Sequence, residues 1–356
     1  MPRTVTLPSA VDATDFRLLN EWQRDFPCVS RPFVRIGEAV GLDEDQVIAA
    51  YRSMMNDGLI SRVGAVFAPR RLGASALAAL AAPPERLEEI AARISAEPAI
   101  NHNYQREHHF NLWFVLTAAS EQHLLGVVAG IERDTGCGVI VLPLEEEFHI
   151  DLGFDLGSGA ERARRPARHV ATPSAFDATL QHNEGRADAG CALPGIEREL
   201  ITVLQGGLPL LPAPFAALGD QAGLSEAMTI ELIQRWLAEG LIRRLGVVVR
   251  HHELGLEANA MCVWDVPDET VSELGRRLAA ESAVTLCYRR RRAGASWPYN
   301  LFCMIHGSAR NEVLAARADI AARLGLDHHP HDVLFSCRRF KQTGARYLAP
   351  KEKLHA

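Results

Sequence analysis

The chain of 356 residues has no apolar stretch approaching the roughly 18 residues of a membrane span. Its opening stretch, MPRTVTLPSAVDATD, has no apolar core of the signal-peptide kind. Both absences set the expectation of a cytoplasmic protein without a membrane partner. There is no CxxC pair among Cys28, Cys137, Cys191, Cys262, Cys287, Cys303 and Cys337. Their wide spacing argues for reduced, mostly buried thiols and against a cysteine zinc site, so no metal ligands are assigned. Basic charge is not in excess either: 38 Lys and Arg stand against 44 Asp and Glu, a net charge of −6. A dedicated nucleic-acid binder more often carries the opposite balance. What is present is ordinary globular material, 47% hydrophobic and 23% charged, long enough for two or more cores.

The sequence repeats itself. Residues 27–73 and 209–255 align without a gap at an offset of 182, matching Pro32-Phe33 to Pro214-Phe215 and Gly58-Leu59-Ile60 to Gly240-Leu241-Ile242. Arg62 and Gly64 match Arg244 and Gly246. Later, Tyr104 pairs with Tyr288 at an offset of 184, and Asn111-Leu112 with Asn300-Leu301 at 189. The copies span about 15–156 and 196–348, with tails at 1–14 and 349–356. Residues 157–195, rich in Gly, Ala, Arg and polar residues, read as a linker.

Each copy divides in two. In the first, Asp15 is a candidate cap for FRLLNEWQRD, Pro32 opens a second helix and Gly41 closes it. A third runs from a capping Asp43 to Gly58, with Ile48, Tyr51 and Met55 at helical spacing. ISRVGAVFAPRRLG then reads as a hairpin, completing a winged helix-turn-helix over 15–64 and again over 196–246. The remainder, 65–156 and 247–348, alternates as βαββαβ, a ferredoxin-like unit. The fold class is therefore α+β, a tandem duplication whose copies form an internal pseudo-dimer. Further homo-oligomerisation is left open.

This architecture resembles the Lrp/AsnC family of regulators, in which the helical part binds DNA and the sheet part dimerises and binds effectors. The recognition helices do not suit DNA. Residues 43–57 hold four acids and one Arg, and residues 225–239 three acids and one Arg. Asp43, Glu44 and Asp45 would meet phosphates at the helix start, although they suit the helix dipole.

The chemistry-bearing residues lie in the sheets. With period-two alternation, Ile100, His102, Tyr104 and Arg106 share a face, as do Phe110, Leu112, Phe114 and Leu116, with Trp113 packing beneath. The first hairpin adds His108, His109 and Asn111. In the second copy arginines take the place of the hairpin histidines: Arg289, Arg290 and Arg292 follow Tyr288, and Tyr299, Lys341 and Arg346 come later. Guanidinium forks bind carboxylates and aromatic faces stack on flat ligands, so the pattern points to a planar polycarboxylate between two sheets.

HNYQREHHFNLWFVLTA, WPYNLFCMIHG and SCRRFKQTGARY resemble the siroheme decarboxylase family, whose paired subunits of NirD and NirL type are each built like an Lrp/AsnC regulator. The first copy resembles the NirD type and the second the NirL type. The resemblance implies removal of carbon dioxide from the two acetates of siroheme, giving 12,18-didecarboxysiroheme for heme d1 biosynthesis. It implies no separate cofactor, because the iron enters with the substrate, and it names siroheme and its products as partners. On this reading His108 is the first candidate proton donor, with His102 or His109 helping and Tyr104 bonding a reacting acetate. Arg106, Asn111, Tyr288, Arg289, Arg290, Arg292, Tyr299, Lys341 and Arg346 would hold the ring. A histidine ligating the iron, a heme-sensing regulator and a carrier without catalysis are the alternatives.

Overall fold

The computed structural model describes residues 12–68, 71–150, 195–250 and 258–348. The expected linker and both tails fall almost wholly outside these stretches. The order of elements is α1 (Ala13–Glu21), α2 (Pro32–Val40), α3 (Glu44–Asn56), β1 (Ile60–Phe67), β2 (Ala74–Leu80), α4 (Leu87–Ala96), β3 (Ile100–Arg106), β4 (Leu112–Ala118), α5 (Glu121–Thr135) and β5 (Val139–Ile150). The second copy follows with α6 (Gly195–Leu204), α7 (Pro214–Ala222), α8 (Glu226–Ala238), β6 (Ile242–Val249), β7 (Ala258–Trp264), α9 (Val271–Ala279), β8 (Val284–Arg290), β9 (Leu301–Gly307), α10 (Arg310–Leu324) and β10 (His331–Gln342).

The helix signals act as capping chemistry dictates. Asp43 and Gln46 form a reciprocal capping box on α3, and Ser225 accepts from Met228 N at the start of α8. Gly41 and Gly223 end α2 and α7 at φ 81 and 72, the left-handed region that glycine enters without strain. The cap of α1 is Asp12, whose carboxylate accepts from Thr14 N and Asp15 N, rather than Asp15. On α3 the core takes Val47, Ile48, Tyr51 and Met54, while Met55 is exposed.

Among the described residues the expected wing hairpins do not form within a copy. β1 instead pairs antiparallel with β6, with Gly64 opposite Gly246. Two isolated wings would each leave unpaired backbone groups, and the cross-copy ladder satisfies them. Both strands also run past the expected domain boundaries, to Phe67 and Val249. The six helices of the two helix-turn-helix units and this ribbon share one core that includes Phe33, Tyr51, Phe215 and Trp236.

Each βαββαβ unit makes a four-stranded antiparallel sheet, and the two sheets close into a barrel, β10-β3-β4-β2-β5-β8-β9-β7. Closure depends on the last strand of each copy. β5 pairs with its own β2 and with β8 of the other copy, and β10 with its own β7 and with β3. No sheet edge is left among these eight strands. Helices α4 and α5 cover one sheet and α9 and α10 the other, over separate apolar cores. Inside the barrel, Trp113, Trp297, Phe302, Leu77 and Met261 make a third core.

A register irregularity between Ile100 and His102 changes the expected facing of β3. Ile100 packs under the helices, and Asn103 donates to Ala91 O of α4 at 3.0 Å. His102, Tyr104 and Arg106 turn inward. On β4, Leu112, Phe114 and Leu116 face the helices, while Trp113 faces the interior, joined there by Phe110. Phe110 precedes β4, so it escapes the alternation that grouped it with Leu112.

Candidate active site

One end of the barrel interior opens into a cavity of about 320 Å³. Its floor includes Trp113, Phe302, Leu77 and Met261, and residues of β1, β6 and the segment after β10 also line it. Arg62, His102, Arg106, Arg290 and His306 supply its cationic or protonatable groups. Among the described lining residues none carries a carboxylate.

The two copies contribute matched pairs. Arg106 and Arg290 stand two residues after Tyr104 and Tyr288, on the same strand face. Each guanidinium lies over its tyrosine ring, at 5.8 Å and 5.1 Å from the centroid. Burial lowers both guanidinium pKa values to about 10, so both remain cations at neutral pH. Burial likewise raises the Tyr104 and Tyr288 phenols, which remain O–H donors.

The histidines are not equivalent by repeat position. His102 lies on β3, with Nδ1 2.6 Å from Asn101 Oδ1, and the Asn101 amide donates onward to Thr117 Oγ1 at 3.3 Å. This network assigns the proton to Nδ1 and leaves Nε2 as the acceptor nitrogen. Burial, and then the charge of Arg62, lower the His102 pKa to about 4, so the ring is neutral in the free protein. His306 lies on β9, where Nδ1 is 3.0 Å from Thr285 Oγ1, and that hydroxyl donates to Met304 O at 3.2 Å. The hydroxyl therefore accepts from His306 Nδ1–H. Thr117 and His306 occupy equivalent positions, as do Asn101 and Thr285. The same polar cross-strand pair thus carries its histidine on β9 in one copy and beside it, at His102, in the other.

Of the residues singled out in the sequence, His102, Tyr104, Arg106, Tyr288 and Arg290 meet in the cavity. The others lie elsewhere. His108 is in the hairpin beyond Trp297, which itself does not line the cavity; their rings meet edge-on at 5.4 Å. His108 Nδ1 accepts from Phe110 N at 2.9 Å, and Nε2 is 3.5 Å from the Asp332 carboxylate. His109 is exposed against the Phe110 ring. Tyr299 packs on Trp297 at 5.0 Å. The hairpin residues gather around Trp297, away from the cavity lining, which alternation along a strand does not reveal.

Asn111 brackets Ala82, accepting from its N–H and donating to its carbonyl, both at 2.8 Å; Asn300 does the same for Val266. Arg289 bridges Glu145 and Asp268, and Arg292 bridges Asp265 and Asp268. Lys341 Nζ donates to Glu97 O at 2.9 Å. Arg346 is exposed, and its carbonyl accepts from Thr117 Oγ1 at 3.0 Å.

Sequence reasoning passed over Arg62, His306 and Trp113 as site residues. A signal existed for Arg62 in its repetition as Arg244, and for His306 in its strand phase with Met304 and Phe302. Among the described residues, no group of three or more His, Cys, Asp or Glu side chains is placed to hold a metal ion. No helix among them is long and apolar enough to cross a membrane.

Comparison with known proteins agrees with this architecture. Residues 15–60 and 197–243 match the siroheme decarboxylase NirDL-like HTH domain, and residues 71–149 and 253–341 match the AsnC-like ligand binding domain. The siroheme decarboxylase NirDL subunit of Paracoccus denitrificans is 41% identical over 94% of this chain and 97% of its own length. The siroheme decarboxylase of Hydrogenobacter thermophilus is 30% identical over 94% of both chains. A crystal structure of the siroheme decarboxylase NirDL in complex with an iron-uroporphyrin III analogue superposes with a TM-score of 0.63, at 27% identity over 94% of each chain. With both repeats matched and nearly the full length aligned, the chain belongs to the siroheme decarboxylase family, in its fused NirDL form.

Proposed function

We propose that this chain decarboxylates siroheme, converting its two reacting acetate side chains to methyl groups and releasing 12,18-didecarboxysiroheme for heme d1 biosynthesis. The observation that carries the reading is the cavity: three guanidinium groups and two histidines face an aromatic floor, with no carboxylate among the described lining residues. That environment suits a flat ring fringed with carboxylates and repels few of its charges.

In each step the bond between the methylene and carboxyl carbons breaks. The electron pair stays on the methylene carbon, where the conjugated ring spreads it, and one proton completes the methyl group. Electrons balance without an oxidant. His102 and His306 carry that proton in this reading. The substrate's carboxylates raise the proton affinity of His102, so the ring takes up a proton as the site fills and gives it to carbon as carbon dioxide leaves. Arg106 and Arg290, with Tyr104 and Tyr288, hold the carboxylates that do not react and fix the ring's position. The iron arrives as part of the substrate, and no resident cofactor is required.

A second reading rests on one observation. His102 is neutral and its Nδ1 is tied to Asn101 Oδ1, an arrangement suited to ligating iron through Nε2. His306 alone would then deliver protons. A change in the ferric siroheme absorption spectrum on His102→Ala, with turnover retained, would select this version.

The deciding test is anaerobic incubation with siroheme followed by mass analysis of the tetrapyrrole. Loss of two carbon dioxide units is expected. Tight binding with an unchanged ring would make the protein a carrier. A gel shift with DNA at physiological salt would restore the regulator reading, against which stand the acidic α3 and the pairing of each wing strand with the other.

A further inference from the structure

Among the described residues the cavity is nearly two-fold in its arginines, and Arg62 breaks that symmetry. Tyr104 with Arg106 is repeated by Tyr288 with Arg290, so these pairs alone would hold a carboxylate-fringed ring in either of two orientations. Arg62 on β1 and Arg244 on β6 are also repeat equivalents. Both begin alike: Arg62 Nη2 donates to Ala65 O, and Arg244 Nη1 to the equivalent Val247 O, each at 3.2 Å. They then diverge. Arg244 is buried, donates also to Gln23 O, and is not among the residues that line the cavity.

Arg62 does line it, and its buried Nε has no hydrogen-bond partner. It lies close enough to His102 for its charge to disfavour protonation there. Backbone packs against it on two sides. A Cβ on Gly344 would stand 2.8 Å from Arg62 Cζ, and one on Gly207 3.3 Å from Arg62 Cβ. Gly344 belongs to the segment after β10, which Asn101 O holds through Thr343 N at 2.8 Å. The guanidinium is thus confined beside His102 with donor capacity left over.

The geometry points to Arg62 as the specificity-determining residue that fixes which way round the substrate sits, by anchoring a carboxylate on the His102 side of the pseudo-two-fold. Its counterpart Arg244 is turned to Gln23 instead, so the two orientations are unequal. A hydrogen bond to a charged group is commonly worth roughly a tenfold to hundredfold preference. One acetate is therefore presented first, and its monodecarboxylated isomer precedes the other.

This inference rests on the siroheme reading. It is tested on the full chain with Arg62→Met, Arg62→Lys and Gly344→Ala, using siroheme anaerobically. Two quantities are measured: the ratio of the two monodecarboxylated isomers early in turnover, and siroheme affinity by absorbance titration. The wild type is expected to build up mainly one isomer. Arg62→Met should move the ratio toward equality by about tenfold or more and weaken binding by a similar factor. Arg62→Lys should retain part of the preference. Gly344→Ala, which presses on the guanidinium without removing it, should shift the ratio in the direction of Arg62→Met. An even isomer mixture from the wild type overturns the proposal, as does an Arg62→Met variant with unchanged ratio and affinity. If Arg62→Met does not fold, Arg62→Lys with wild-type ratio and affinity overturns it. A wild type that binds siroheme without decarboxylating it sinks the activity reading instead. Unchanged affinity in Arg62→Met would then still overturn the role of Arg62.

Discussion

Arg106 and Arg290 each reach across to the other half of the barrel: Nη1 of Arg106 donates to Leu334 O at 2.9 Å, and Nη1 of Arg290 to Leu142 O at 3.1 Å. Each guanidinium therefore ties the other copy's last strand to the cavity wall, and both arginines line the cavity. Anchor and wall are one structure.

Replacing either arginine with methionine keeps much of the bulk and removes the charge. Arg106→Met and Arg290→Met should each weaken siroheme binding by about tenfold to a hundredfold, the scale of a lost charge-assisted hydrogen bond. Absorbance titration gives the number. Unaltered affinity in both would mean that these cations serve the barrel alone.

His306→Ala and His102→Ala should lower turnover by about a hundredfold or more, the usual contribution of a positioned proton donor. His108→Ala, beyond Trp297 and outside the cavity, should stay within about threefold of wild type. A severe loss in His108→Ala with a full-rate His306→Ala would return the proton donor to the hairpin.

Acid should destabilise the free protein partly through His102. Its folded pKa, about 4, lies below the unfolded value of roughly 6.5. As pH falls through this window the unfolded chain takes up a proton that the folded state refuses, so stability present above the unfolded pKa is lost. His102→Asn should remove up to about 2 kcal/mol of the loss between pH 7 and pH 5. Urea unfolding at the two values measures it, and equal acid losses in both proteins would contradict the prediction.

Asn111→Ala should cost about 2–3 kcal/mol of stability, because the buried N–H and carbonyl of Ala82 lose their shared partner. Siroheme affinity of the folded fraction should not change. A variant of normal stability and poor affinity would instead give Asn111 the substrate contact anticipated from sequence.

Much of this fold is legible in the chain because the signals are local. Asp43, Pro32 and Gly41 mark helix ends through their own backbone chemistry, and the constant offset of the repeat makes each reading in one copy a check on the other. Strand phase also placed Tyr104 and Arg106 on one face with His102. It could not show that the ladder slips between Ile100 and His102, because a bulge depends on the partner strand. Nor could phase show that the hairpin packs on Trp297 outside the cavity lining, which is why His108 ranked ahead of His102 as the proton donor. Arg62 comes from a different domain, and the β1–β6 ladder that carries it joins residues 182 or more apart in most of its pairs, as Arg62 with Val248 and Gly64 with Gly246 illustrate. Such pairings leave no local trace.

The exchanged pairing of β5 and β10 bears on stoichiometry. The halves have unequal contents, His102 and Arg62 in one and His306 in the other, yet similar folds whose sheet edges could pair like with like. A barrel made from two first halves would hold two His102 side chains and lack His306, and one made from two second halves would have the reverse. Joining the halves in a single polypeptide supplies them in a ratio of one to one and gives each sheet an unlike neighbour at high local concentration. Covalent continuity thereby acts as a sorting device, favouring the mixed barrel at the moment of assembly.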